Sequence, residues 1–202
     1  MPLWLADYPL VLASRSRVRQ TLLLAAGIPI EVRPANIDER RLEAGAASEQ
    51  PSAIAALLAR EKASIVARAH PGRLVLGADQ TLAFGTRRFV KPDDRAAARA
   101  QLHALSGRMH ELHSGIAFVQ DATVLFEHVS VARLTMRAFS EQFLDLYLDV
   151  AGSAATASVG AYQLESVGIQ LFERVDGDYF TVLGLPLLEA LGFLRQRGCL
   201  VQ

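Results

Sequence analysis

The chain has 202 residues, 51% of them hydrophobic and 21% charged, which excludes a disordered or fibrous protein. Lys+Arg and Asp+Glu both number 21, so no net field draws it to nucleic acid or an anionic membrane, and any affinity for polyanions must be local. A single cysteine, Cys199, excludes a disulfide framework and a Cys-based zinc centre and fits a reducing cytoplasm.

The opening MPLWLADYPLVLAS is apolar, but Asp7 and Pro9 interrupt it and no basic stretch precedes it. It reads as an N-terminal segment and first strand, not as a signal peptide. No run is long enough to span a bilayer, so no membrane partner is expected. Residues 9–13 (PLVLA) form a short buried-type strand that runs into Ser14, Arg15, Ser16, Arg17, Val18 and Arg19. Leu22, Leu23 and Ala26 follow at helical spacing, with Gly27 as the stop. Ser14 or Ser16 is a natural N-cap. The three arginines crowding the same strand-to-helix turn favour phosphate binding over plain capping. The P-loop pattern is absent.

Residues 28–32 form a second strand, followed by Asp38 and Glu39, two carboxylates able either to hold a divalent cation or to face water. Ser48 and Pro51 open a helix to about Ala69, with Ile54, Leu57, Leu58, Ile65 and Val66 as its apolar stripe. At 100° per residue Glu61 falls inside that stripe and Lys62 on its flank, so Lys62 is a site candidate, a snorkelling stem being the alternative. The apolar run 74–76 stops at Gly77 and Ala78 and delivers Asp79 and Gln80. A second run, 82–84, turns through 85–88 into Phe89 and Val90 and delivers Lys91. An acid at one strand end and a lysine at the next read as a site for a phosphate-bearing substrate, with ordinary surface charges as the alternative.

Pro92, Asp93 and Asp94 start a helix carrying Ala96, Ala97, Ala100, Leu102 and Leu105, which Ser106 and Gly107 end. Strands follow over 109–118 and 124–136. His110, Glu111 and His113 lack HExxH spacing, and strand geometry puts residues three apart on opposite faces, so zinc is not expected there. Ser140 caps a helix to Val150, with Phe139 and Leu144 as a hydrophobic staple. A loop or lid spans 151–157, a strand 169–172, and a turn Asp176, Gly177 and Asp178. Pro186 begins the last helix, with Leu187, Leu188, Leu191 and Leu194 as its buried face and Gly198 as its stop. The alternation of strands and helices, with hairpins mixed in and no internal repeat, argues for an α/β fold with a mixed sheet in one domain.

Taken together, these segments resemble the Maf family of nucleotide pyrophosphatases over nearly the whole chain. The resemblance is carried by LASRSRVR (12–19), Asp38 and Glu39, EKA (61–63), LGADQ (76–80), VKP (90–92), LSGRMHELHSG (105–115), GAYQLES (160–166) and ERVDGDYFTVLGLPL (173–187). It implies a mixed twisted sheet with flanking helices, two lobes around a deep cleft, and a likeness to the inosine-triphosphate pyrophosphatases. It further implies hydrolysis of nucleoside triphosphates to the monophosphate and pyrophosphate with a divalent cation, Mg²⁺ or Mn²⁺, and a possible homodimer.

Carried over, Asp79 is the general base or the group that positions the attacking water, and Glu39 shares the cation with it. Lys62 and Lys91 neutralise phosphates, and Ser14 and Arg19 grip the triphosphate. The chain departs from the commonest family pattern at Val18, Gln80 and Glu165, where many members have arginine, threonine and glutamine. These positions are associated with base choice. Gln80 and Glu165 resemble the branch acting on 7-methyl-GTP more than the branch acting on dTTP and UTP. A carboxylate accepts from the adjacent N1–H and N2–H₂ of guanine together, which an amide cannot do without a mismatch. A nucleotide-binding regulator of cell division without catalysis is the rival reading, disfavoured by the joint presence of Asp79, Glu39, Lys62 and Lys91.

Overall fold

The computed structural model describes residues 3–46 and 48–202, and Met1 and Pro2 of the N-terminal segment lie outside them. Among the described residues the strands are β1 (Leu10–Leu12), β2 (Ile30–Val32), β3 (Leu74–Phe84), β4 (Arg87–Phe89), β5 (Met109–Gln120), β6 (Thr123–Met136) and β7 (Phe172–Asp176). The helices are α1 (Arg17–Ala25), α2 (Glu39–Ala44), α3 (Pro51–Ala69), α4 (Arg95–Leu105), α5 (Glu141–Ala151), α6 (Ala154–Ala157), α7 (Tyr179–Val182) and α8 (Leu187–Gln196). Strand pairing follows the order β2-β1-β3-β5-β6-β7, with β4 on β3. β1 is parallel to β2 and β3, whereas β4 and β7 pair antiparallel, so the sheet is mixed as expected. No described helix is long and apolar enough to cross a membrane.

The chain forms two compact units. The first holds the residues up to Gln80 together with Ser114–Ser130 and Asp178–Gln202. Its strands alternate with period two, as a sheet covered on both faces requires. Leu10, Leu12, Leu76, Ala78, Ile116 and Phe118 face one core, which α1 and α8 close with Leu23, Leu187, Ala190 and Phe193. Val11, Ala13, Val75, Ala117 and Val119 face the other, closed by α3.

The buried face of α3 is Ile54, Ala55, Leu58, Ala59, Ala63, Val66 and Ala67. This is rotated from the expected stripe. Leu57 is half-buried and Ile65 exposed, because the four alanines at spacing four let the helix lie against glycine rather than against bulky side chains. A Cβ on Gly77 would stand 2.0 Å from the carbonyl oxygen of Ala59, and one on Gly115 would stand 2.6 Å from that of Ala55. Gly77 therefore does not end a strand, and β3 runs unbroken for 11 residues. In α8 Leu188 is exposed and Leu191 half-buried, their places in the core being taken by Ala190 and Phe193.

The second unit holds Thr81–His113 and Val131–Gly177. The end of β3 pairs with β4 across Leu82 and Phe89, and the end of β6 pairs with β7. Asp94 caps α4 and Ser140 caps α5, and Arg95 and Arg99 of α4 are ion-paired to Asp149, Glu141 and Asp145 of α5. Residues 151–157, expected as a loop or lid, end α5 and form the alanine-rich α6. The strand expected at 169–172 is displaced. Residues 167–171 form a 3₁₀ turn, tightened where a Cβ on Gly168 would meet the Gln163 carbonyl oxygen at 2.4 Å, and the strand begins at Phe172.

Candidate active site

The alternation of β3 sets the geometry. Val75, Gly77 and Asp79 point to the α3 face, and Ala78 and Gln80 to the other. Asp79 thus sits mid-strand in a helix-covered sheet, not at a strand end, and is 8% exposed. Because α3 lies so close, Lys62 reaches across, and its Nζ donates to Asp79 Oδ1 at 2.6 Å. Lys62 is the more deeply buried of the neighbours Glu61 and Lys62, with side-chain exposures of 31% and 13%, which reverses the expected placement.

The same ammonium lies 2.7 Å from Oε1 of Glu39. Glu39 is the first residue of α2, a short helix that carried no periodic signal. Asp38 is its N-cap, accepting from the Arg41 N–H, so the two adjacent carboxylates have different tasks.

Behind Asp79 lies the buried guanidinium of Arg19. Its Nε donates to the Gly184 carbonyl at 2.8 Å, and its Nη1 donates to the Ala78 carbonyl at 2.8 Å and to Ser14 Oγ at 3.1 Å. Burial lowers the Arg19 pKa, opposed by the charges of Asp79 and Glu39. Burial also raises the Asp79 pKa above the usual carboxylate range, and the opposing charges of Lys62 and Arg19 do not cancel it. Proximity to cations alone argues for a lowered value. Desolvation of a carboxylate closed in on a sheet face wins.

Gln80, on the opposite face of β3, donates from Nε2 to Ser114 Oγ at 3.0 Å and to the carbonyls of Thr181 and Val182 at 3.1 and 3.0 Å. Ser114 Oγ also donates to the Thr181 carbonyl, and Asp178 caps α7 through the N–H groups of Phe180 and Thr181 and the Thr181 hydroxyl. Ser114, Thr181 and Asp178 stand in the family motifs but were not expected as site residues, Asp178 being read only as part of a turn. The only local signal was the Asp-x-x-Thr spacing of a helix cap.

Among the remaining predicted residues, Ser16 is the N-cap of α1, accepting from the Arg19 N–H, and Ser14 accepts from the Ser16 N–H as well as from Arg19. Val18 is half-buried on α1, between exposed Arg17 and buried Arg19. Lys91 is exposed between β4 and α4, and Glu165 lies in an exposed turn, both in the second unit. The structure therefore gathers Ser14, Arg19, Glu39, Lys62 and Asp79 within the first unit, with Gln80 adjoining them. His113 is 3.1 Å from Glu111, whereas His110 pairs with Tyr162 at 2.7 Å.

Glu39 and Asp79 converge on one point, which an ammonium fills. Two carboxylates around a point of positive charge suit a hard cation that takes its other ligands from water and phosphate. Among the described residues no third His, Cys, Asp or Glu joins them.

The Maf-like protein model matches residues 9–197. A nucleoside triphosphate pyrophosphatase of Rhodopseudomonas palustris is 57% identical over 99% of both chains. One from Nitrobacter winogradskyi is 54% identical over the same share. A 7-methyl-GTP pyrophosphatase of Rhizobium etli is 50% identical over 94% of this chain and 96% of its own. With a family match spanning the site and most of both units, and relatives that match end to end, the chain belongs to the Maf family.

Proposed function

We propose that this chain hydrolyses nucleoside triphosphates to the monophosphate and pyrophosphate, as the names of its relatives indicate for them. The observation that carries the reading is the buried Asp79 carboxylate, held by Lys62 beside Glu39. A carboxylate made more basic by burial is a better proton acceptor at neutral pH than a solvated one. In this reading Asp79 orients a water for in-line attack on the α-phosphorus and takes its proton. The bond from that phosphorus to the bridging oxygen breaks, and pyrophosphate leaves.

Glu39 and Asp79 would hold Mg²⁺ or Mn²⁺, whose charge offsets that of the phosphate oxygens. Lys62 is assigned to the phosphates. With Nε and Nη1 of Arg19 committed to protein oxygens, its Nη2 is the nitrogen offered to a ligand. For the base, the reading favours 7-methylguanine. An amide whose nitrogen is engaged three ways meets a ligand with its oxygen, so Gln80 serves as an acceptor.

Pyrophosphate release from dTTP, UTP, GTP and 7-methyl-GTP, side by side with Mg²⁺ or Mn²⁺, tests both levels. We expect turnover with 7-methyl-GTP foremost. A pyrimidine preference contradicts the base assignment, and release from none contradicts the reaction.

A further inference from the structure

We propose that Lys62 is the resting occupant of the cation position, so that the site takes up a divalent cation only together with the phosphates of a substrate. The inference rests on the reading that Glu39 and Asp79 hold the cation. One ammonium stands 2.7 Å from an oxygen of Glu39 and 2.6 Å from an oxygen of Asp79, both charge-assisted hydrogen-bond distances. It belongs to a side chain only 13% exposed, so little water competes for it.

A divalent cation needs those same oxygens at roughly 2.0–2.1 Å for Mg²⁺. It cannot take them while a like charge remains at contact distance. Nor does net charge help it. Glu39 and Asp79 are balanced by Lys62 and by Arg19, whose charge Asp79 also feels. A free metal ion therefore meets a locally neutral quartet, with one oxygen of each carboxylate already taken by the ammonium.

A triphosphate changes that balance. Its oxygens supply negative charge that draws the ammonium off the carboxylates on a flexible four-carbon stem, and they complete the shell of the incoming cation. Lys62 then passes from carboxylates to phosphate as the metal enters. Linkage makes the coupling reciprocal, since whatever nucleotide does for metal affinity, metal does for nucleotide affinity. A lysine that served only as a phosphate contact would leave metal uptake without nucleotide unaffected when removed.

Water-proton relaxation of Mn²⁺ separates protein-bound from nucleotide-bound ion and needs no turnover. It is measured on the wild type, Lys62→Met and Lys62→Gln, each with and without an α,β-methylene nucleoside triphosphate. The glutamine variant keeps Asp79 partnered if the methionine variant unfolds. We expect both variants to bind Mn²⁺ without nucleotide at least ~10-fold more tightly than the wild type, and the wild type to gain at least ~10-fold on adding the analogue. Equal affinity in wild type and variants, or a wild type indifferent to the analogue, overturns the proposal while leaving the metal site standing. Binding undiminished by Glu39→Gln puts the ion elsewhere and overturns the underlying reading with it.

Discussion

Asp79 and His110 are both buried titratable groups, and burial pushes them in opposite directions for one reason, the cost of holding a charge away from water. For Asp79 the result is a carboxylate of raised basicity. For His110 the pKa falls from the ordinary 6.5 to about 4, so the ring stays neutral against Tyr162. The sign follows directly. Between pH 6.5 and 4 the unfolded chain takes up a proton that the folded ring refuses, so stability held above pH 6.5 drains away as the pH falls. The shift corresponds to roughly 3 kcal/mol at the acid end. Thermal melts at pH 7 and pH 4.5 should show the wild type losing more Tm than His110→Gln, which has nothing to protonate there. Equal losses would mean that His110 does not contribute to acid sensitivity.

At the scale of elements, the contact that makes the site is a helix resting on glycine. Ala55, Ala59, Ala63 and Ala67 form the seam of α3, with Gly77 and Gly115 opposite. Gly77→Ala sets a methyl 2.0 Å from one backbone oxygen and 2.7 Å from a backbone nitrogen, atoms that cannot swing aside. Urea unfolding should show a loss of at least ~3 kcal/mol, at or beyond the upper end of ordinary overpacking, accompanied by weaker turnover as Lys62 is lifted from Asp79. A loss under ~1 kcal/mol would mean that the helix shifts freely.

This seam also explains why the sequence put Lys62 on a flank. A stripe weighted by large aliphatic side chains points along Ile54, Leu57 and Ile65, whereas the helix is held by its alanines, which carry little weight in such a pattern. The helix that carries Glu39 went unread for another reason, since α2 is only 6 residues long and offers no apolar period.

At the scale of the whole molecule, the alternating strands, the long helix and the order of elements were legible, because each rests on a local period or a cap. Strand pairing order and the company of Gln80 were not. Ser114 and Thr181 lie 34 and 101 residues from it, and nothing local encodes those partners. From local pattern alone the residues at Asp79 were legible only one by one, and only the family resemblance grouped them, whereas the fold gathers Ser14, Arg19, Glu39 and Lys62 about it.

We assign to Asp79 the proton of the attacking water. Steady-state pyrophosphate release from 7-methyl-GTP by the wild type and by Asp79→Asn, with both confirmed folded, tests it most directly. A fall of at least ~100-fold in kcat is expected. An Asp79→Asn enzyme turning over at near wild-type rate would contradict it.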